Sequence, residues 1–264
     1  MFTNQKLKQL IIPLVIEQIL AVLVGMADIM MVSSVSEAAV SGVSLVDSIS
    51  ILIINIFAAL ATGGAVVAAQ YLGRREEEQA CFSAKQLILC TTAISAVIMV
   101  MFLIFGRQLI ALIFGKVDPE VLASAQTYLF ITSMSYPFIA LYNSCAALYR
   151  AMGNSRISMV TSLIMNSLNI VGNAILIYGL GMGVEGAAIP TLISRIVCAV
   201  LIVVMLRRRQ DQIRLDSYFH LGFDWTMIKR ILHRQSWPRR ACWIWMCPPS
   251  PARPWGRTSR VPTS

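Results

Sequence analysis

The stretch LIIPLVIEQILAVLVGMADIMMV, residues 10–32, decides the fold. A hydrocarbon core of about 30 Å needs about 20 predominantly apolar residues at a helical rise of ~1.5 Å, and this stretch is long enough while carrying only Glu17 and Asp28 as ionisable groups. Working outward, five more such runs follow, at 46–72, 87–114, 123–149, 157–180 and 186–206, with most of the charge in the short segments between them. Strands of a membrane barrel would be about ten residues long and would alternate in polarity. Helices are therefore the spanning element, and the expected fold is all-α, a six-transmembrane-helix bundle.

Composition agrees with this reading. Apolar residues make up 57% of the 264 positions and charged residues 13%, a balance that excludes a water-soluble domain of this length. The first run is too long for a signal-peptide core and lacks a small-residue cleavage site, so it reads as a retained span.

The basic residues set the expected threading. Lys6, Lys8, Arg74, Arg75, Lys85, Arg150, Arg156 and the cluster Arg207, Arg208 and Arg209 fall on one side, and Arg107 and Lys116 on the other. By the positive-inside tendency the amino terminus is cytoplasmic and the chain returns to the cytoplasm after residue 206. Only three of the nine net positive charges arise before residue 210. A juxtamembrane basic cluster meeting anionic lipid headgroups accounts for the Arg207 group, and no nucleic-acid partner is expected.

Three ionisable residues are read as lying within spans, each of which costs about 2.5–3.5 kcal/mol on insertion scales. Asp28 lies roughly 6 Å inside the outer end of the first span, where it either hydrogen-bonds a neighbouring helix or faces a water-filled cavity. In a cavity it can hold and release a proton, or bind a sodium ion when ionised. Asn166, Asn169 and Asn173 stand at i, i+3 and i+7 on the fifth span, one amide row that serves either interhelical bonding or a shared polar site with Asp28. Arg195 is about ten residues into the sixth span, within reach of a carboxylate or of backbone carbonyls. Glu17, beside Gln18 and one turn after Pro13, is a packing or gating residue. Glu17, Asn166, Arg195 and Tyr136 are thus the cavity or gating candidates, behind Asp28, Asn169 and Asn173.

Pro13, Pro137 and Pro190 interrupt the first, fourth and sixth spans, and 61–65 (ATGGA) permits close helix approach in the second. Cys81, Cys90, Cys145 and Cys198 lack the paired spacing of zinc or redox sites and read as packing residues. Both histidines, His220 and His233, lie beyond the last span, and no nucleophile or HExxH pattern is present, so neither an enzyme nor a metal site is expected.

These residues resemble a known family, the multidrug and toxic compound extrusion (MATE) transporters, in their amino-terminal half. Pro13 with 28–32 (DIMMV) is similar to the family's first helix, and 69–73 (AQYLG) to the end of its second. The segment 148–154 (LYRAMGN) followed by Asn166, Asn169 and Asn173 resembles helices four to five, and 182–188 (MGVEGAA) the entry to helix six. Together these cover residues 7 to about 232. The resemblance implies an antiporter that expels amphipathic, often cationic, small molecules while a proton or sodium ion moves inward, with no cofactor beyond that ion. It implies coupling at Asp28 with Asn169 and Asn173, although many members carry a second acid where Asn173 stands. It also implies one lobe of a twelve-helix protein of the cytoplasmic (inner) membrane, the second six-helix bundle to be supplied in cis or in trans. A lipid-linked oligosaccharide flippase of the same superfamily is the alternative, and a non-transporting membrane fragment a further one.

Three regions are expected along the chain: the bundle at 1–206, a cytoplasmic linker with an amphipathic helix at 207–234, and a tail at 235–264. That tail holds six of the ten prolines and four of the five tryptophans with no apolar run long enough to span. It reads as an aberrant, disordered segment after a frameshift, and the chain accordingly as a truncated, inactive half.

Overall fold

A computed structural model describes residues 4–115 and 118–207, with side chains from residue 11 onward. The expected linker and tail lie outside the described residues. Among the described residues there are seven α-helices: α1 (Asn4–Ser33), α2 (Glu37–Gly73), α3 (Glu77–Phe114), α4 (Pro119–Met134), α5 (Tyr136–Ala151), α6 (Ser155–Ala174) and α7 (Glu185–Leu206). Among the described residues there is no strand. A π-helical turn, Ile175–Gly179, extends α6.

Among the described residues, five helical segments are long and apolar enough to cross a membrane. The fourth crossing, expected over 123–149 with an interruption at Pro137, is split into α4 and α5, 16 residues each, at Ser135. Pro137 explains the break, because its ring crowds the carbonyl of Ser133 and it has no N–H to return to that carbonyl. The backbone adapts, and both Phe138 and Ile139 donate to Ser135 O, at 3.1 and 3.0 Å.

Local signals fix the other ends. Ser36 caps α2, its hydroxyl accepting from Ala39 N at 3.0 Å, and Glu37 in the first turn complements the helix dipole. Gly153, at φ 82°, makes the turn between α5 and α6, a conformation that a side chain at that position would strain.

The core forms where α2 and α5 meet α3 and α4. Phe57, Leu87, Tyr136, Leu148 and Tyr149 are fully buried there. Leu87 of α3 occupies the space a Cβ on Gly64 would need, which is the close approach the small-residue segment of α2 allows. By contrast α1 packs along α6 at the edge, and only 11% of its most apolar window is buried against 44% for α2. So much exposed apolar surface on α1 belongs in lipid or against another bundle.

Candidate functional site

Asp28 is reached by two amides of α6. Asn173 of α6 donates from Nδ2 to Asp28 Oδ1 at 2.7 Å, and Asn173 is fully buried. One turn earlier, Asn169 stands between Asp28 and Thr191 of α7. Its amide fits in two orientations. With Nδ2 towards Asp28 it donates to the carboxylate at 3.0 and 3.3 Å, and its oxygen accepts from Thr191 Oγ1 at 2.9 Å. Turned over, Nδ2 donates to Thr191 Oγ1 at 2.9 Å, leaving the oxygen towards Asp28. An ionised Asp28 accepts only and matches the first orientation, while a protonated one has a hydroxyl to donate and matches the second. The arrangement can therefore satisfy both protonation states with one amide rotation. The π-helical turn begins two residues beyond Asn173, a local feature that often accompanies functional sites.

A second polar group surrounds Arg195. Its Nη1 donates to Ser135 Oγ at 2.6 Å, at the break between α4 and α5. Nearby, Tyr128 Oη donates to Asp47 Oδ1 at 3.3 Å, and Asp28, Asp47 and Arg195 lie within electrostatic reach of one another. Tyr136 sits in the bundle core rather than on a cavity wall. Its hydroxyl pairs with Ser50 at 3.3 Å and its ring meets Phe57 and Phe102 edge-on.

The third group joins the opposite half of α1 to α5 and α6. Ser158 donates to Glu17 Oε2 at 3.1 Å, Arg150 Nη1 donates to Ser158 Oγ at 3.2 Å, and Arg150 stands 3.8 Å from Glu17 Oε1. Asn166 joins none of these groups, and its Nδ2 is buried without a partner. An open depression of about 700 Å³, lined by Ser36, Glu37, Ser41, Asp118 and Glu120, shares no residue with them.

Residues 13–175, more than half of the chain, match the MatE family. This chain belongs to the MatE family. MATE proteins are membrane transporters, so this is a multi-pass membrane protein of a transporter family. It is 30% identical over 218 residues to the transporter YisQ of Bacillus subtilis, covering 79% of this chain and 47% of that one. It is 25% identical over 206 residues to the multidrug export protein MepA of Staphylococcus aureus, covering 78% of this chain and 45% of that protein. The fold is similar, with a TM-score of 0.78, to an outward-facing multidrug resistance MATE family transporter at 25% identity, covering 86% of this chain and 50% of that one. The chain thus spans about half the length of the relatives it matches, and the resemblance read from residues 7 to 232 is to the amino-terminal half of the MATE fold.

Of the residues singled out from sequence, Asp28, Asn169 and Asn173 are brought together, and Arg195 lies within electrostatic reach of Asp28. Glu17 is in a separate group at the other end of α1. Sequence reasoning missed Asp47, Tyr128, Thr191 and Ser158. Asp47 had a usable signal, the Ser36-Glu37 helix start, which places it ten positions inside α2 rather than at the edge of a run beginning at residue 46.

Proposed function

We propose that this bundle is the ion-responsive, amino-terminal lobe of a multidrug exporter, which exchanges a proton or sodium ion for amphipathic cations across the cytoplasmic membrane. The observation that carries it is the Asp28–Asn173 contact of 2.7 Å with Asn169 able to serve either protonation state, inside a family that includes the multidrug export protein MepA. A lone carboxylate within a span is expensive unless it is paired or functional, and its partners here are amides, not a counter-ion. A complete path needs a second six-helix bundle, in cis or in trans, and the amino terminus faces the cytoplasm by the charge asymmetry.

The test is dye transport in everted membrane vesicles containing the chain alone or together with a carboxy-terminal MATE bundle. With both bundles, an imposed proton or sodium gradient drives a fluorescent cation into the vesicle, and the chain alone moves little. No gradient-driven transport with both bundles would overturn the reading.

A further inference from the structure

The bundle holds a carboxylate that the reading above does not use. Asp47, Tyr128 and Arg195 lie ten, nine and ten positions beyond the first residues of their helices, Glu37, Pro119 and Glu185. All three helices start from the same end of the bundle, so these groups share one level, about 13–15 Å along the axes. Tyr128 supplies the single hydrogen bond that Asp47 receives among the described residues, although a carboxylate has room for about four. Arg195 makes no ion pair among the described residues and bonds Ser135 instead. Asn173, which bonds Asp28 through Nδ2, is fully buried, and its Oδ1 has no partner among the described residues.

The charged and titratable groups here are Asp28 on α1, Asp47 on α2, Tyr128 on α4, Tyr136 on α5 and Arg195 on α7. With both acids ionised, two carboxylates and one guanidinium leave a net charge of one negative. We propose that Asp28, Asp47 and Arg195 act as one charge-balanced unit, in which Asp47 makes the site selective for a single monovalent positive group, whether proton, alkali ion or ammonium head. Away from bulk water a charge imbalance is costly, so such a unit takes one added positive charge and resists a second. Without Asp47, Arg195 cancels Asp28 and the attraction is lost even though Asp28 and its amides are intact. Asp47 is thus a specificity-determining residue of the export site, and the inference rests on the export reading.

The experiment is equilibrium binding of tetraphenylphosphonium, a monovalent lipophilic cation, to the purified 264-residue chain in detergent, with helix content checked by circular dichroism. Asp47→Asn is expected to weaken binding at least about tenfold, and Asp47→Glu to hold it within about threefold. Arg195→Gln, with one more net negative charge, is expected to bind at least about threefold more tightly than the unsubstituted chain. The double variant Asp47→Asn/Arg195→Gln, back at one net negative charge, recovers binding to within about threefold, which a merely structural role for Asp47 could not produce. Unchanged binding by Asp47→Asn, binding by Arg195→Gln no tighter than that of the unsubstituted chain, or no recovery in the double variant overturns this inference alone. Absence of binding by the unsubstituted chain overturns this inference, whereas the export reading falls only if gradient-driven transport fails with both bundles present.

Discussion

Glu17 and Asp28 stand eleven positions apart on α1, close to three full turns, so their carboxylates lie on one face of the helix. The residues they meet on α6, Ser158 and Asn169, are also eleven positions apart. Because α1 and α6 run in the same direction, the equal intervals let both contacts form at once, about 16 Å from each other. Apart from these polar points, the face that α1 turns outward is apolar and exposed, including Ile12, Ile19, Leu23 and Met30. In lipid such residues gain nothing by choosing one helix neighbour over another, so the polar contacts fix where α1 sits on α6.

The upper contact is expected to carry the coupling. Asp28→Asn keeps the size and hydrogen-bonding capacity of the side chain and removes its change of charge. In vesicles holding both bundles, gradient-driven dye transport should fall to background while the amount of protein in the membrane stays within about twofold of the unsubstituted chain. Full transport by a well-produced Asp28→Asn variant would place the coupling elsewhere.

The lower contact is expected to be worth little in stability. Arg150 and Glu17 keep 29% and 20% of their side chains exposed, their separation of 3.8 Å is long, and Ser158 bridges them. Glu17→Ala should therefore cost about 1 kcal/mol or less, read as a small shift of the thermal unfolding midpoint in detergent. A loss of several kcal/mol would show that the pair is desolvated and holds the bundle together.

Much of this was legible from residue spacing. The length of each apolar run follows from the thickness of the membrane, and a repeat of three and four along a helix puts Asn169 and Asn173 on one face whatever they touch. Asp47 escaped because it stood at the very edge of an apolar run beginning at residue 46, whereas the helix begins at its cap, Ser36. Thr191 escaped for a different reason. A threonine hydroxyl within a helix can bond its own backbone, as Thr191 does to Ala187 O at 2.9 Å, so nothing in the sequence marks it as a partner of Asn169. Pro137 announced an interruption in the fourth span, but the break falls at Ser135, where Arg195 arrives from α7 at 2.6 Å. That contact joins residues sixty positions apart, and local pattern does not reveal it.

Ser135→Ala tests this brace directly. The change removes the acceptor of Arg195 Nη1 at a fully buried position, leaving a cationic N–H without its partner. The expected cost is about 1–3 kcal/mol, measured as a lower unfolding midpoint, with Ser135→Thr less affected because it keeps the hydroxyl. If Ser135→Ala were as stable as the unsubstituted protein, Pro137 alone would account for the break.

Gly172 allows the site to be disturbed from behind without altering any of its polar groups. It precedes Asn173 on α6, and a Cβ there would lie 2.6 Å from Pro190 Cβ and 3.1 Å from its Cγ on α7. A proline ring within a helix cannot rotate away, so Gly172→Ala must push α6 and α7 apart. The same two helices carry Asn169 and Thr191, whose contact is 2.9 Å, and α6 carries Asn173, which holds Asp28 at 2.7 Å. A displacement of a few tenths of an ångström stretches the Asn169–Thr191 bond and moves Asn173 relative to Asp28 on α1. The expected result is a stability loss of about 1–3 kcal/mol, accompanied by weaker tetraphenylphosphonium binding. Gly25→Ala is the matched control on α1: a Cβ there meets nothing within 4 Å, so binding should stay at its original value and stability should hold or rise by about 0.5–1 kcal/mol. Tight binding in a destabilised Gly172→Ala protein would show that the Asp28 group tolerates a wider α6–α7 spacing than these short contacts imply.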